Sequence, residues 1–208
     1  MREIAEGLLD IGAVALSVDK PFTWASGIQS PIYCDNRLLL STPATWKKVI
    51  AAMIEVLEKE FPDAQCLMGT ATAGIPHASV CAYTMNLPGG FVRGKAKDHG
   101  KENRIEGRVA PGMKVVVIED LISTGGSSLD AVKALEDAGC EVLGIAAIFT
   151  YGMEKANRAM AEHSVKLVSL ATYPELLQAA RESRRISGDD QRRLEIFMAN
   201  PASPDWMR

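Results

Sequence analysis

Two adjacent acids, Glu119 and Asp120, stand just before the run Ser123-Thr124-Gly125-Gly126-Ser127. Carboxylates accept hydrogen bonds from sugar hydroxyls. A loop of glycine and hydroxyl residues that opens a helix offers backbone N–H groups and a positive helix end, which suits a phosphate. The apolar positions Leu129, Val132 and Leu135 predict that helix. The run Val115-Val116-Val117-Ile118 predicts a buried parallel strand leading into the acids. One segment, 114–128, therefore offers groups for a ribose 5-phosphate. It is neither of the common nucleotide loops: no Lys follows Gly125 or Gly126, so GxxxxGK(S/T) is absent, and GxGxxG is absent too.

A second cluster carries the opposite charge. FVRGKAKDHGKENRIEG, residues 91–107, holds Arg93, Lys95, Lys97, His99, Lys101 and Arg104 among glycines at 94, 100 and 107. It has no apolar period, which predicts an exposed, mobile loop. A basic run is often only a solvated face, but the chain as a whole has net charge −3. Cations gathered on a glycine-flanked loop against that background suit a polyanionic ligand.

These segments resemble known signatures. Val115 to Ser127, an apolar strand with two acids and a Ser-Thr-Gly-Gly-Ser loop, resembles the signature of the type I phosphoribosyltransferases. Arg93, Lys97, His99 and Gly100, followed by Ile105-Glu106-Gly107, resemble the catalytic loop of the orotate phosphoribosyltransferases within that family. FTWASGIQSPIYCDNR, residues 22–37, resembles their N-terminal hood signature; its residue types alone predict only turns between short strands. GTATAGIPHA, residues 69–78, follows a short apolar strand and resembles the family's pyrophosphate loop.

The resemblance implies a fold, a reaction and roles. The fold implied is α/β, the type I phosphoribosyltransferase fold, with a mostly parallel sheet flanked by helices and a small N-terminal hood. The reaction implied is orotate plus phosphoribosyl pyrophosphate (PRPP) giving orotidine 5′-monophosphate and pyrophosphate, in pyrimidine biosynthesis. Thr70, Ala71, Thr72, Ala73 and Gly74 would meet the pyrophosphate. Arg93, Lys97 and His99 would close over it, acting in the site of the neighbouring subunit of a homodimer. Glu119 and Asp120 would hold the ribose hydroxyls and favour the cationic transition state. Ser123, Thr124, Gly125, Gly126 and Ser127 would fix the 5-phosphate, and Leu121 and Ile122 would also lie at the PRPP. Ser123, Tyr33 and Cys34 would reach the orotate. Mg2+ would be held mainly by PRPP and water, with no dedicated protein ligand set.

Three positions depart from what some members carry. Lys stands in such members where this chain has Ala25, Ala73 and Gly94. Lys95 or Lys20 would then supply the missing charge. Arg37 reads as structural where it pairs with Asp35 or a Glu in the hood, and His77 and His163 read as structural histidines. Two other readings stay in view. One is a PRPP-binding regulator without catalysis, which a separate DNA-binding domain or strongly basic face would mark. The other is a purine-base phosphoribosyltransferase, which the hood and loop signatures disfavour.

Composition sets bounds. With 208 residues, 47% of them hydrophobic, the chain can bury a core as one domain with a small appendage. A fused decarboxylase domain would not fit in that length. Its pI near 5.7 points away from nucleic acid. No apolar run approaches ~20 residues, so no membrane span is expected. The first residues, MREIAEGLLDIGAVALS, read as an amphipathic helix rather than a signal peptide, which suits a cytoplasmic protein. Cys34, Cys66, Cys81 and Cys140 are scattered without metal spacing, so thiols are expected to stay free.

The elements that must position these groups alternate. Helices are predicted at 43–60, 75–83, 126–138 and 153–162, and strands at 66–68, 90–93, 114–118, 141–149 and 165–170. Strands alternating with helices imply βαβ units, with sites at the carboxyl ends of the strands. The hood is expected mainly in 1–40, the α/β core in about 41–172 and a peripheral helical tail in 173–208.

Overall fold

The structure is a computed structural model that describes residues 2–24, 27–94 and 104–208. In chain order it runs α1 Arg2–Asp10, β1 Val14–Leu16, β2 Phe22–Thr23, β3 Gln29–Ser30, β4 Ile32–Cys34, a 3-10 turn Asn36–Ser41 and α2 Pro43–Glu60. Then come β5 Cys66–Thr70, α3 Gly74–Thr84, β6 Gly89–Val92, β7 Ile105–Glu106, β8 Lys114–Ile122, α4 Gly126–Asp137 and β9 Glu141–Thr150. The chain continues as α5 Glu154–Glu162, β10 Leu167–Thr172, α6 Tyr173–Glu182, α7 Gly188–Ala199 and a 3-10 turn Asp205–Met207. It forms two compact units, residues 46–170 and residues 1–45 with 171–208.

The first of these units is built on the six-stranded sheet, in the order β10-β9-β8-β5-β6-β7. The pairs β5–β6, β5–β8 and β8–β9 are parallel, and β7 runs antiparallel on β6. Parallel strands covered on both faces need continuous apolar runs. Accordingly Val115, Val116, Val117 and Ile118 are all fully buried, Val115 and Val117 in one core cluster with Cys66, Met68, Ile145 and Ala147. Helix α4 lays Ala131, Val132 and Leu135 on that core and stops where Gly139, at φ +86°, takes the left-handed conformation that ends helices.

Two sequence expectations change here. The strand predicted to end at Ile118 continues to Ile122, so both acids belong to β8 rather than to the loop after it. Its partner explains this: β9 pairs with Glu119, Leu121 and Ile122, a ladder that the polar side chains do not interrupt. The segment 91–107, expected as an exposed loop after a strand at 90–93, also closes in a strand, where Ile105 and Glu106 pair with Val92 and Phe91. Residues 95–103 between them, with Lys95, Lys97, His99 and Lys101, lie outside the described residues, as do Ala25 and Ser26.

In the other unit, β1 pairs antiparallel with β4, and β2 with β3 as a hairpin. The tail expected to pack peripherally belongs to this unit, because its apolar faces need a partner. Helix α1 buries Ile4, Ala5, Leu8 and Leu9, and α6 buries Leu176, Leu177, Ala179 and Ala180 against it. Ion pairs Arg185–Asp10 and Arg2–Glu182 join the same two stretches of chain. Local chemistry starts the tail helices: capping boxes at Thr172–Glu175 and Ser187–Asp190, with Pro174 at the opening of α6.

Candidate active site

In the sheet unit, β5 and β8 lie side by side and each leads through a short loop into a helix. Residues 71–73 open α3 and residues 123–125 open α4, both at the carboxyl end of the strands. Neither helix has a capping side chain, and neither carries an acid in its first turn. The cap of α4 is Gly125, held at φ +80°, a left-handed conformation natural to glycine. Thr124, Gly126 and Ser127 are exposed around it. Helix openings that lack their own caps and acids leave the macrodipole and the first N–H groups to an outside anion.

The loop after β5 is held tightly. A Cβ on Gly74 would stand 2.5 Å from the Ile118 carbonyl oxygen and 2.6 Å from Thr70 Oγ1. Only glycine lets the start of α3 lie against β8 this closely. The Ala71 N–H donates to the Val92 carbonyl (2.9 Å), tying the loop to β6 as well. The Ala71–Thr72 peptide is cis. Ala71 and Thr72 are exposed, Ala73 is half-buried, and Thr70 and Gly74 are buried.

The acids have different surroundings. Glu119 is 5% exposed and its carboxylate is engaged inside the protein. Thr70 Oγ1 donates to Oε1 (2.5 Å), the Asp120 N–H donates to the same oxygen (3.1 Å), and Ser128 Oγ donates to Oε2 (2.8 Å). One carboxylate thereby links β5, β8 and α4. Asp120 is half-buried, and its carboxyl is pushed up to about 7 by burial, by the negative charge of Glu119 and by a hydrogen bond with it. The residue types predict both acids at a ribose. The geometry also gives Glu119 an internal task, joining Thr70, 49 positions earlier, to Ser128 at the start of the next helix.

Glu119→Gln should therefore weaken the fold itself. The amide cannot accept from all three donors, since half of it is itself a donor. A buried donor left unmatched costs about 1–3 kcal/mol. Thermal unfolding should show the variant melting about 4 °C or more below wild type, whereas an exposed control, Asp130→Asn, should not move.

The remaining candidates divide by place. Ser123 is half-buried on the loop before α4. Leu121 and Ile122 lie in β8, so they hold the loop's base, Ile122 being buried. Arg93 is half-buried beside Glu106, with Nε 3.3 Å from Oε1, and Arg104 donates to the Arg93 carbonyl (2.9 Å). These contacts clamp the two ends of the segment that holds Lys97 and His99. Tyr33 and Cys34 sit on β4 in the other unit, Tyr33 43% exposed with its ring 5.7 Å from that of Phe22. Arg37 forms the predicted ion pair with Asp35 (2.6 Å). His77 is buried, accepts from Trp46 Nε1 (2.9 Å), and is pushed down to about 4 by burial, which fits a structural histidine. The His163 ring lies 2.8 Å from the Ala159 carbonyl at the end of α5. Sequence reasoning misses Ser128, which reads only as part of a hydroxyl-rich helix start. Its spacing of nine residues from Glu119 gives no signal until β8 and α4 are placed.

Comparison with known proteins agrees with this geometry. A family model described as a phosphoribosyl transferase domain matches residues 37–173. The orotate phosphoribosyltransferase of Bacillus subtilis (strain 168) is 53% identical over 205 residues, covering 99% of this chain and 95% of the relative. That of Listeria monocytogenes serotype 4b (strain F2365) is 52% identical over 200 residues, covering 96% of each. The crystal structure of orotate phosphoribosyltransferase from Aeropyrum pernix superposes with a TM-score of 0.75 at 31% identity, covering 84% of this chain and 96% of that one.

Proposed function

This chain belongs to the phosphoribosyltransferase family, among its orotate phosphoribosyltransferases, and on that premise we propose that it transfers the ribose 5-phosphate of PRPP to orotate. The products are orotidine 5′-monophosphate and pyrophosphate, and the reaction serves pyrimidine biosynthesis. The observation that carries the reading is the glycine-capped start of α4, a few residues after the acids Glu119 and Asp120 near the end of β8. It offers an anion site and a sugar-hydroxyl site within one loop's reach.

Displacement at the anomeric carbon builds positive charge on the ribose and negative charge on the leaving pyrophosphate. The backbone of residues 123–127 and the opening of α4 hold the 5-phosphate. Asp120 accepts from the ribose hydroxyls and sets its negative charge near the developing cation. Glu119 keeps Thr70 and the 70–74 loop in register with β8, so the pyrophosphate and ribose subsites stay at a fixed spacing. Residues 70–74 offer N–H groups at the opening of α3 to the pyrophosphate. Lys97 and His99, with Arg93 at the root of their segment, close over that pyrophosphate in the neighbouring site of a homodimer. Tyr33, Cys34 and Ser123 face the orotate. A cytoplasmic location completes the reading; separately, among the described residues no helix is long and apolar enough to cross a membrane.

Mg2+ fits these residues as a companion of the substrate. Among the described residues no group of three His, Cys, Asp or Glu side chains is placed to hold a metal. Asp120 is a half-buried carboxyl whose raised protonation a cation would reverse. Mg2+ commonly takes one or two carboxylates together with substrate phosphates and waters. When bound it supplies charge neutralisation to the diphosphate.

The test is the loss of orotate absorbance when the protein meets PRPP and Mg2+. Turnover is expected. PRPP binding without turnover would instead indicate a regulator, and turnover with hypoxanthine or adenine but not orotate would indicate a purine enzyme.

A further inference from the structure

The unit formed by residues 1–45 and 171–208 holds a stack of three aromatic rings that no step above uses. Trp206, in the 3-10 turn Asp205–Met207, is 1% exposed. Its ring meets that of Phe197 edge-on at 5.6 Å, with an interplanar angle of 79°. Phe197, fully buried on α7, meets Trp24 edge-on at 5.7 Å and 82°. Edge-to-face pairs of this kind add to the burial of their area and fix relative ring orientation. Trp24 ends the stack at the tip of the β2–β3 hairpin, and its Nε1–H donates to the Ile32 carbonyl on β4 (3.0 Å). That carbonyl also accepts from the buried Ser30 hydroxyl (2.8 Å).

A second clamp secures the other end. Arg193 on α7 is 14% exposed, and its Nε–H donates to the Trp206 carbonyl (2.9 Å). Its two terminal nitrogens donate to Asp19 Oδ1 (3.0 Å) and to the Val18 carbonyl (3.2 Å). One guanidinium thus joins the 3-10 turn to the strand-to-hairpin link before Phe22. A guanidinium with three fixed acceptors loses little freedom on holding them and resists replacement by an amide.

We propose that Trp206 is a positioning residue for base recognition: through Phe197 and Trp24, and with Arg193, it sets where the β2–β3 hairpin and the adjoining β4, with Tyr33 and Cys34, are held. This rests on the reading that these hood residues face the orotate. The turn Asp205–Met207 thereby takes part in selecting the base, at second hand and without touching it. PRPP is held by groups of the sheet unit, so the two substrates should respond differently.

The experiment measures KM for orotate and for PRPP in the full-length protein carrying Trp206→Ala, Trp206→Phe, Arg193→Gln or Trp24→Ala, each checked for folding by thermal unfolding. Small displacements of positioning groups can cost up to about 100-fold. Trp206→Ala is expected to raise the orotate KM by about 10-fold with the PRPP KM within about twofold, because only one substrate loses its support. Trp206→Phe should restore most of that loss, since an aromatic edge remains for Phe197. Should Trp206→Ala not fold, Arg193→Gln frees the same turn without a core cavity and carries the same expectation. A folded Trp206→Ala or Arg193→Gln with both KM values unchanged, or with both raised alike, overturns the proposal. If Trp24→Ala raises the orotate KM while neither of those variants does, the proposal falls and the hood reading stands. If Trp24→Ala also leaves orotate unaffected, both fall.

Discussion

Asp120→Asn is expected to lower kcat/KM by about 100- to 1,000-fold while making the empty protein more stable. The loss follows from removing the one charge proposed to face the developing ribosyl cation, an electrostatic contribution typically of that size. The gain follows from what the charge costs when no substrate is present. Burial, the neighbouring Glu119 charge and the hydrogen bond with it push the Asp120 carboxyl up to about 7, from an ordinary 3.8. Between those two values the folded chain holds a proton that the unfolded chain has lost. Stability therefore falls as pH rises through that window, and the full penalty is present above about 7. An uncharged Asn feels none of it. Melting curves at pH 8 should show the variant about 3 °C or more above wild type, with the gap closing towards pH 4. Binding has the opposite sign. Ribose hydroxyls and Mg2+ both favour the ionised carboxylate, so PRPP affinity should rise with pH through about 7 and binding should release a proton. Calorimetry in two buffers of different ionisation enthalpy detects that proton. Asp120→Asn should abolish it, and an unaltered proton release in the variant would assign the titration to another group.

Lys97→Ala is expected to reduce kcat by about 100- to 1,000-fold, the usual consequence of deleting a cation aimed at a leaving group's charge. The expectation comes from the pattern Arg93, Lys97, His99, Gly100 rather than from coordinates, since residues 95–103 lie outside the described part of the chain. The geometry around the segment supports it in one respect. Arg93 and Glu106 clamp the two ends of the segment together at the edge of the sheet, so it leaves and returns at one place. Mixing the two inactive variants tests whether the loop serves the other subunit. In a heterodimer of Lys97→Ala with Asp120→Asn, one site regains both native residues. Random exchange makes half the dimers mixed, so activity should return to about a quarter of wild type. No recovery on exchange would mean that each loop serves its own site.

The elements of this site were legible in the chain because they are written locally. Four apolar residues at 115–118, two acids and a glycine-hydroxyl loop before a helical pattern describe a strand, a turn and a helix start in about fifteen residues, with residue types that suit a sugar and a phosphate. The helix start at Pro43 was legible for the same reason. The resemblance then supplied the orotate assignment, which no periodicity contains. What lay beyond the sequence depends on partners distant along it. β8 runs to Ile122 because β9 offers a ladder to residues that look like loop, and β7 is a strand only because β6 needs an edge partner. That Glu119 also has an internal task shows only once Thr70, 49 positions earlier, and Ser128 are folded onto its two oxygens. Nothing in the sequence marks Trp206 before Phe197 and Trp24 receive it. A residue's type states what bonds it can make, and neighbours within a few positions often decide secondary structure. Which of those bonds it does make is settled only when the sheet and helices bring remote donors and apolar faces to it, since a buried polar group takes whatever partner the packing provides.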